Sequence, residues 1–179
     1  MTTETPILND HKQSCDSASA EDKCACVMPS ASKFAAGKAE FPPMHTVEHI
    51  LNQTMVRMFG CERSRNAHIE RKKSKCDYCL PGAPTEEQIA EIERRVNEVI
   101  AQQLPVTAEL VTRDNVPEGV DLGKLPADAS ETLRIVRVGD YDTCACIGMH
   151  VENTSEIGCF KIISHSYENG TLRLRFKLI

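Results

Sequence analysis

His45 and His49 stand four residues apart in MHTVEHILNQTMVRMF, and Cys146 and His150 repeat that spacing far downstream in CACIGMHV. On a helix, residues at this spacing project from one face about one turn apart, so the two imidazoles can share a metal. With the downstream pair added, three nitrogens and a thiolate sulfur are available, a set that suits borderline-soft, tetrahedral zinc. If the pairs act together, the fold must lay an early helix against a late segment. A lone His pair at helical spacing is commonly surface decoration, but here two like-spaced pairs occur and the His residues lie opposite an apolar stripe. Cys144 is a rival for Cys146, because alternate residues of an extended segment share a side. The four-residue spacing to His150 favours Cys146.

The elements around these motifs are readable from periodicity. Val47, Ile50, Leu51, Met55, Met58 and Phe59 recur at helical spacing, with His45, His49, Asn52 and Val56 on the opposite face. In TEEQIAEIERRVNEVIAQQLPV, Thr85 and Gln88 form a capping box, and Ile89, Ile92, Val96, Val99 and Ile100 form a stripe. Glu86, Glu87, Glu91 and Glu93 precede Arg94 and Arg95, the order a helix dipole favours. Strand patterns follow. Val106, Ala108 and Leu110 alternate, LRIVRV and FKIIS are short apolar runs, and Leu172, Leu174, Phe176 and Leu178 alternate with Arg173, Arg175 and Lys177. Asn169-Gly170 is a tight hairpin turn. Helices early and strands late give an α+β class: an antiparallel sheet packed with helices.

Composition limits the function classes. Residues 1–40 carry Cys15, Cys24, Cys26 and His11 in a Ser-, Ala-, Lys- and acid-rich stretch with no apolar period, which reads as a flexible tail. Residues 41–179 form the expected domain, large enough to fold without disulfides. Nine Cys, a start with no basic n-region or apolar h-region, and no membrane-length apolar run predict a cytoplasmic protein with reduced thiols and no membrane partner. A net charge of -5, with five Phe, three Tyr and no Trp, argues against a nonspecific DNA or RNA coat and against a base-stacking platform. That sum hides a basic stretch: Arg57, Arg63, Arg65, Arg71, Lys72, Lys73 and Lys75 face only Glu62 and Glu70.

HTVEHILN followed by CIGMHVENTSEIG resembles the paired His-x-x-x-His and Cys-x-x-x-His signature of alanyl-tRNA synthetase editing domains and of free-standing AlaX-type alanyl-tRNA editing proteins. It is more distantly similar to threonyl-tRNA synthetase editing domains. The similarity covers most of residues 44–179, including the linking helix, and none of the tail. The resemblance implies the same editing-domain-like α+β fold and a zinc-dependent hydrolase acting in trans on mischarged tRNA, chiefly Ser-tRNA(Ala) or Gly-tRNA(Ala). It implies His45, His49, Cys146 and His150 as zinc ligands. Thr46 would read the serine hydroxyl; a backbone hydrogen bond at the helix start is the alternative role. Such an activity answers a physical need, since a pocket built for alanine cannot strongly reject an added hydroxyl. Four protein ligands usually mark a closed structural site, so zinc either activates water or carbonyl, or only positions the substrate.

The second motif in this family usually reads CGGTH, and here Ile147 and Met149 replace a Gly and the Thr. A bulky Ile147 is expected to narrow the pocket, which bears on substrate and activity. Ser155 replaces a common Gly, and the N-terminal β-barrel of longer members has no counterpart, as in the short free-standing forms. Alternatives are therefore threonyl-type editing of Ser-tRNA(Thr), or a noncatalytic zinc-containing RNA- or protein-binding module.

HTVEH also fits His-x-x-Glu-His, in which Glu48 is a catalytic base; the default for Glu48 is a solvated helix carboxylate. Cys76 and Cys79 have zinc-knuckle spacing and could join Cys61 and His68, although free thiols in a loop are the simpler reading. Cys159 is expected in the core. Arg71, Lys72, Lys73 and Lys75 are the expected tRNA-phosphate contacts, with Arg173, Arg175 and Lys177 as a second candidate.

Overall fold

Two prolines and a glycine bracket the first helix. The computed structural model describes residues 41–120 and 131–179. In it α1 (Pro42–Phe59) starts with Pro at its first positions, where a missing N–H costs nothing, and ends at Gly60, whose φ of 63° glycine adopts without strain. The expected tail and its Cys15, Cys24 and Cys26 lie outside the described residues. No helix among the described residues is long and apolar enough to cross a membrane.

The chain continues through β1 (Asn66–His68), β2 (Ser74–Cys79), α2 (Glu86–Ala101), β3 (Val106–Thr112), β4 (Thr132–Val138), β5 (Asp142–Ala145), β6 (Phe160–Glu168) and β7 (Thr171–Leu178). These make an α+β fold with two antiparallel sheets where one was expected: β1-β2-β7-β6 and β3-β4-β5. The β6–β7 hairpin turns on Asn169 and Gly170, both at positive φ, as the Asn-Gly dipeptide predicts. The four-stranded sheet turns Cys76, Tyr78, Leu172, Leu174 and Phe176 toward Val47, Ile50, Leu51 and Met55 of α1 and Ile89, Ile92, Val96 and Val99 of α2. Each large apolar side chain buried there contributes about 1.5–3 kcal/mol.

The capping box of α2 forms as expected: Gln88 N–H donates to Thr85 Oγ1 at 3.2 Å, and Thr85 N–H to Gln88 Oε1 at 2.9 Å. Thr85→Ala is expected to lower stability by about 1 kcal/mol, seen as a lower urea midpoint with unchanged m-value.

Two regions correct the sequence reading. The stretch around Cys76 and Cys79 is no loop: β2 pairs with both β1 and β7, so the two thiols, three apart on a strand, fall on opposite faces. Cys76 is fully buried and Cys79 exposed, and among the described residues neither joins a metal-binding group with Cys61 or His68. His68 instead pairs with Glu70 at 2.8 Å. The polar face of α1 is likewise not solvated; Glu48, His49 and Asn52 are all buried, because β5 covers the His49 side and the stretch from Arg63 to Ile69 lies against Glu48 and Asn52. Cys159 is buried, as expected.

Candidate metal centre

Ties to the β4–β5 hairpin and to the segment that follows it set the register of α1. Thr54 Oγ1 lies 2.8 Å from the Tyr141 hydroxyl, and Arg57 donates to the Tyr141 carbonyl at 2.7 Å while its guanidinium stacks 4.1 Å over the ring. Farther up the helix, Thr46 Oγ1 accepts from Val151 N–H at 3.2 Å. The turn after β5 is pinned separately. Arg134 donates to the carbonyls of Cys146 and Gly148 at 2.9 and 2.7 Å.

These constraints bring one ligand atom each of His45, His49, Cys146 and His150 within 4.8 Å of one another. Cys146 Sγ is 3.4 Å from His45 Nε2 and 3.4 Å from His150 Nε2. A zinc tetrahedron built from ordinary Zn–N and Zn–S bonds has N···S edges of about 3.5 Å, so the donor set fits that ion in both chemistry and size. Burial alone would raise the Cys146 thiol. The side chains of His150, His45 and His49 around the sulfur reverse this and hold it at about 3, the thiolate form a metal requires. His150 is lowered, by burial first and then by the neighbouring His49 and His45, which favours the neutral ligand form.

The rings are held from behind. Thr46 Oγ1 donates to the Pro42 carbonyl at 2.9 Å and lies 3.2 Å from His150 Nδ1. With the hydroxyl proton committed to Pro42, His150 Nδ1–H is the donor in that second contact and Nε2 faces the cluster. Thr46 thus makes the backbone hydrogen bond that was the alternative to serine reading. It is fully buried with its hydroxyl engaged on every side, and it orients His150.

His49 Nδ1 is 3.4 Å from Asp142 Oδ2, and Asp142 is clamped by Arg63 through contacts of 2.6 and 3.1 Å. Burial opposes a charge on His49, but Asp142 and the thiols of Cys144 and Cys146 hold its pKa well above the usual value. Burial also opposes ionisation of Asp142, yet His49 and Arg63 keep its carboxyl below the ordinary range. Cys144 Sγ lies 3.5 Å from His49 Nδ1 and 3.8 Å from Nε2, and groups with His49 and Asp142 instead of with the four-residue cluster. Sequence reasoning missed Asp142 and Arg63. The available signal was the alternation of Asp142, Cys144 and Cys146, which shares one side of a strand.

A cavity of about 280 Å³ opens beside the cluster, lined by His45, Glu48, His49, Asn52, Ala67 and Cys146 among others. It falls just below the ~300–1,000 Å³ typical of drug-sized ligand sites, a size for a small group. Ile147 and Met149 do not line it: they are 92 % and 61 % exposed, so Ile147 does not narrow this pocket as expected. The β4–β5 ladder ends at Ala145, and the following turn points these two side chains outward. A larger groove of about 560 Å³ crosses the outer sheet face, where Arg65 pairs with Glu62 and Arg173 with Asp77; it contains none of the four converging residues.

The basic stretch divides. Arg63 is committed inside the fold to Asp142 and the exposed Arg57 to Tyr141, while Arg71, Lys72 and Lys73 form the exposed tip of the β1–β2 hairpin, with Lys75 partly covered on β2. Ala67 and Ile69 of that hairpin line the cavity, so the basic tip is continuous with the site.

Residues 133–174 match the model of the threonyl and alanyl tRNA synthetase second additional domain. Residues 133–174 belong to that family. It is 32% identical over 130 residues to an alanine–tRNA ligase of Fervidobacterium nodosum, a match covering 72% of this chain and 15% of the ligase. Against the alanine–tRNA ligase of Bacillus subtilis it is 33% identical over 123 residues, covering 68% and 14%. Against that of Methylacidiphilum infernorum it is 36% identical over 121 residues, covering 66% and 13%. The chain thus spans only a small part of these ligases. The second-additional-domain match includes β4, β5, Cys146 and His150, and ends within β7.

Proposed function

We propose that this protein is a zinc-dependent deacylase of mischarged tRNA, acting in trans in the cytoplasm, with Ser-tRNA(Ala) as its main substrate and Gly-tRNA(Ala) as a second. The observation that carries this reading is the convergence of three imidazoles and a thiol beside a small cavity, in a chain whose residues 133–174 belong to a tRNA synthetase domain family. Zinc held by His45, His49, Cys146 and His150 would supply Lewis-acid polarisation of the ester carbonyl or a more acidic water. In the reaction, water adds to the ester carbon, the bond to the ribose oxygen breaks, and free amino acid and tRNA leave. The chain's own part is to fix the site: Thr46 orients His150, Asp142 and Arg63 orient His49, and the cavity admits a group no larger than a small aminoacyl moiety.

Purified protein incubated with Ser-tRNA(Ala), Gly-tRNA(Ala), Ser-tRNA(Thr) and Ala-tRNA(Ala) should release serine fastest from the first and leave Ala-tRNA(Ala) intact. Fastest release from Ser-tRNA(Thr) would move the substrate to the threonyl type. No release from any of them would leave the noncatalytic RNA-binding module.

The hairpin tip is the proposed contact for acceptor-stem phosphates. Replacing Lys72, Lys73 and Lys75 together by Gln should weaken tRNA binding and flatten the slope of log K against log salt by about 2–3. An unchanged slope removes this patch from the account.

A further inference from the structure

Glu48 is a buried carboxylate that the metal cluster does not use. It sits one residue before His49 on α1 and is 7 % exposed, yet it is absent from the converging metal-binding group. Its Oε1 accepts from Asn52 Nδ2 at 2.6 Å. Asn52 cannot flip to offer its oxygen, because its Oδ1 already accepts from Ser64 N–H at 2.9 Å. The hydrogen bond from Asn52 engages Oε1 alone. Arg63 is the nearby cation; its two hydrogen-bonding contacts go to Asp142, and it acts on Glu48 only through space. Glu48 therefore lines the cavity beside His45, His49 and Cys146 with a carboxyl that Asn52 engages through one oxygen and that forms no direct salt bridge among the described residues.

Desolvating a carboxylate costs several kcal/mol unless a cation or donors replace the lost water. The substrate class of the deacylase reading, on which this inference rests, brings such a cation: an aminoacyl ester carries an α-ammonium on the carbon next to the ester carbonyl. With that carbonyl at the metal cluster, the ammonium falls inside the same small cavity. We infer that Glu48, held in orientation by Asn52, binds the α-ammonium of the aminoacyl group. Glu48 is then a specificity residue that admits esters with a free amino group and excludes N-blocked ones, so a growing peptidyl-tRNA is spared.

The probe is 3′-deoxy-3′-(L-seryl)aminoadenosine, an amide analogue of the charged tRNA end, compared with its N-acetyl derivative. Binding of each to the metal-loaded protein is measured calorimetrically. A charge-assisted hydrogen bond of ~1.5–3 kcal/mol predicts a preference of the wild type for the free amine of about 10–100-fold. Glu48→Gln, nearly isosteric, should bring that ratio to about 1 while metal content and N-acetyl binding stay unchanged. Equal binding of the two probes by the wild type overturns the inference without touching the deacylase reading. So does a Glu48→Gln variant that keeps the preference, or one that weakens both probes alike, as a general base or a packing residue would. A wild type that binds neither probe while holding its metal overturns the deacylase reading as well.

Discussion

Cys146→Ala is expected to lose the bound metal and, with it, at least ~100-fold in deacylation rate, while Cys144→Ala keeps its metal. A catalytic metal contributes several kcal/mol to a transition state, and each 1.36 kcal/mol is tenfold in rate. The two thiols differ in what they face. Cys146 Sγ is equidistant, at 3.4 Å, from the Nε2 atoms of His45 and His150, whereas Cys144 lies nearer the Nδ1 edge of His49 that Asp142 also approaches. Metal analysis of the two variants after gel filtration checks the assignment. Metal lost from Cys144→Ala and retained by Cys146→Ala would transfer the ligand role to Cys144.

Asp142→Ala should be the most destabilising single change near the site, by about 3–5 kcal/mol, because it leaves the Arg63 guanidinium buried and unpaired. Removing both charges, as Arg63→Met with Asp142→Ala, should recover most of the loss. The same single change frees His49 from its carboxylate partner and is expected to weaken metal affinity ~10–100-fold. The pH dependence has a defined sign. The folded-state pKa of Asp142 is depressed, so its contribution is fully present above the unfolded carboxylate value near 3.9 and is lost as pH falls through the folded value. Stability measured by urea unfolding should therefore differ by a constant amount between wild type and Asp142→Ala from about pH 5 to 6, narrow at higher pH as His49 loses the proton that Asp142 favours, and begin to converge below about pH 4.

What could be read from the chain depended on which signal each element carries. α2 was legible because its stripe and its Thr85–Gln88 cap agree, and the β6–β7 hairpin because Asn169-Gly170 supplies the two positive φ values the turn needs. β2 was not. Its inward residues are Ser74, Cys76 and Tyr78, a period-two pattern without aliphatic side chains, set in a charged stretch that reads as loop. On α1 the apolar stripe is real, yet hydrophobic periodicity reports only apolar burial and is blind to a polar face buried against β5 and the stretch from Arg63 to Ile69. This is why Glu48 was expected in solvent. The four converging residues were visible from spacing, but their supports were not: Arg63 and Asp142 lie 79 residues apart, and no local pattern ties them. Ile147 was expected at the pocket because it stands where the family's motif has a Gly, and it is the Arg134-pinned turn that points it outward.

The most direct measurement is the initial rate of serine release from Ser-tRNA(Ala) by the purified protein as isolated, after exhaustive chelation, and after stoichiometric zinc is restored. Hydrolysis should be lost on chelation and recovered with about one zinc per chain. Hydrolysis that survives complete metal removal would contradict zinc dependence.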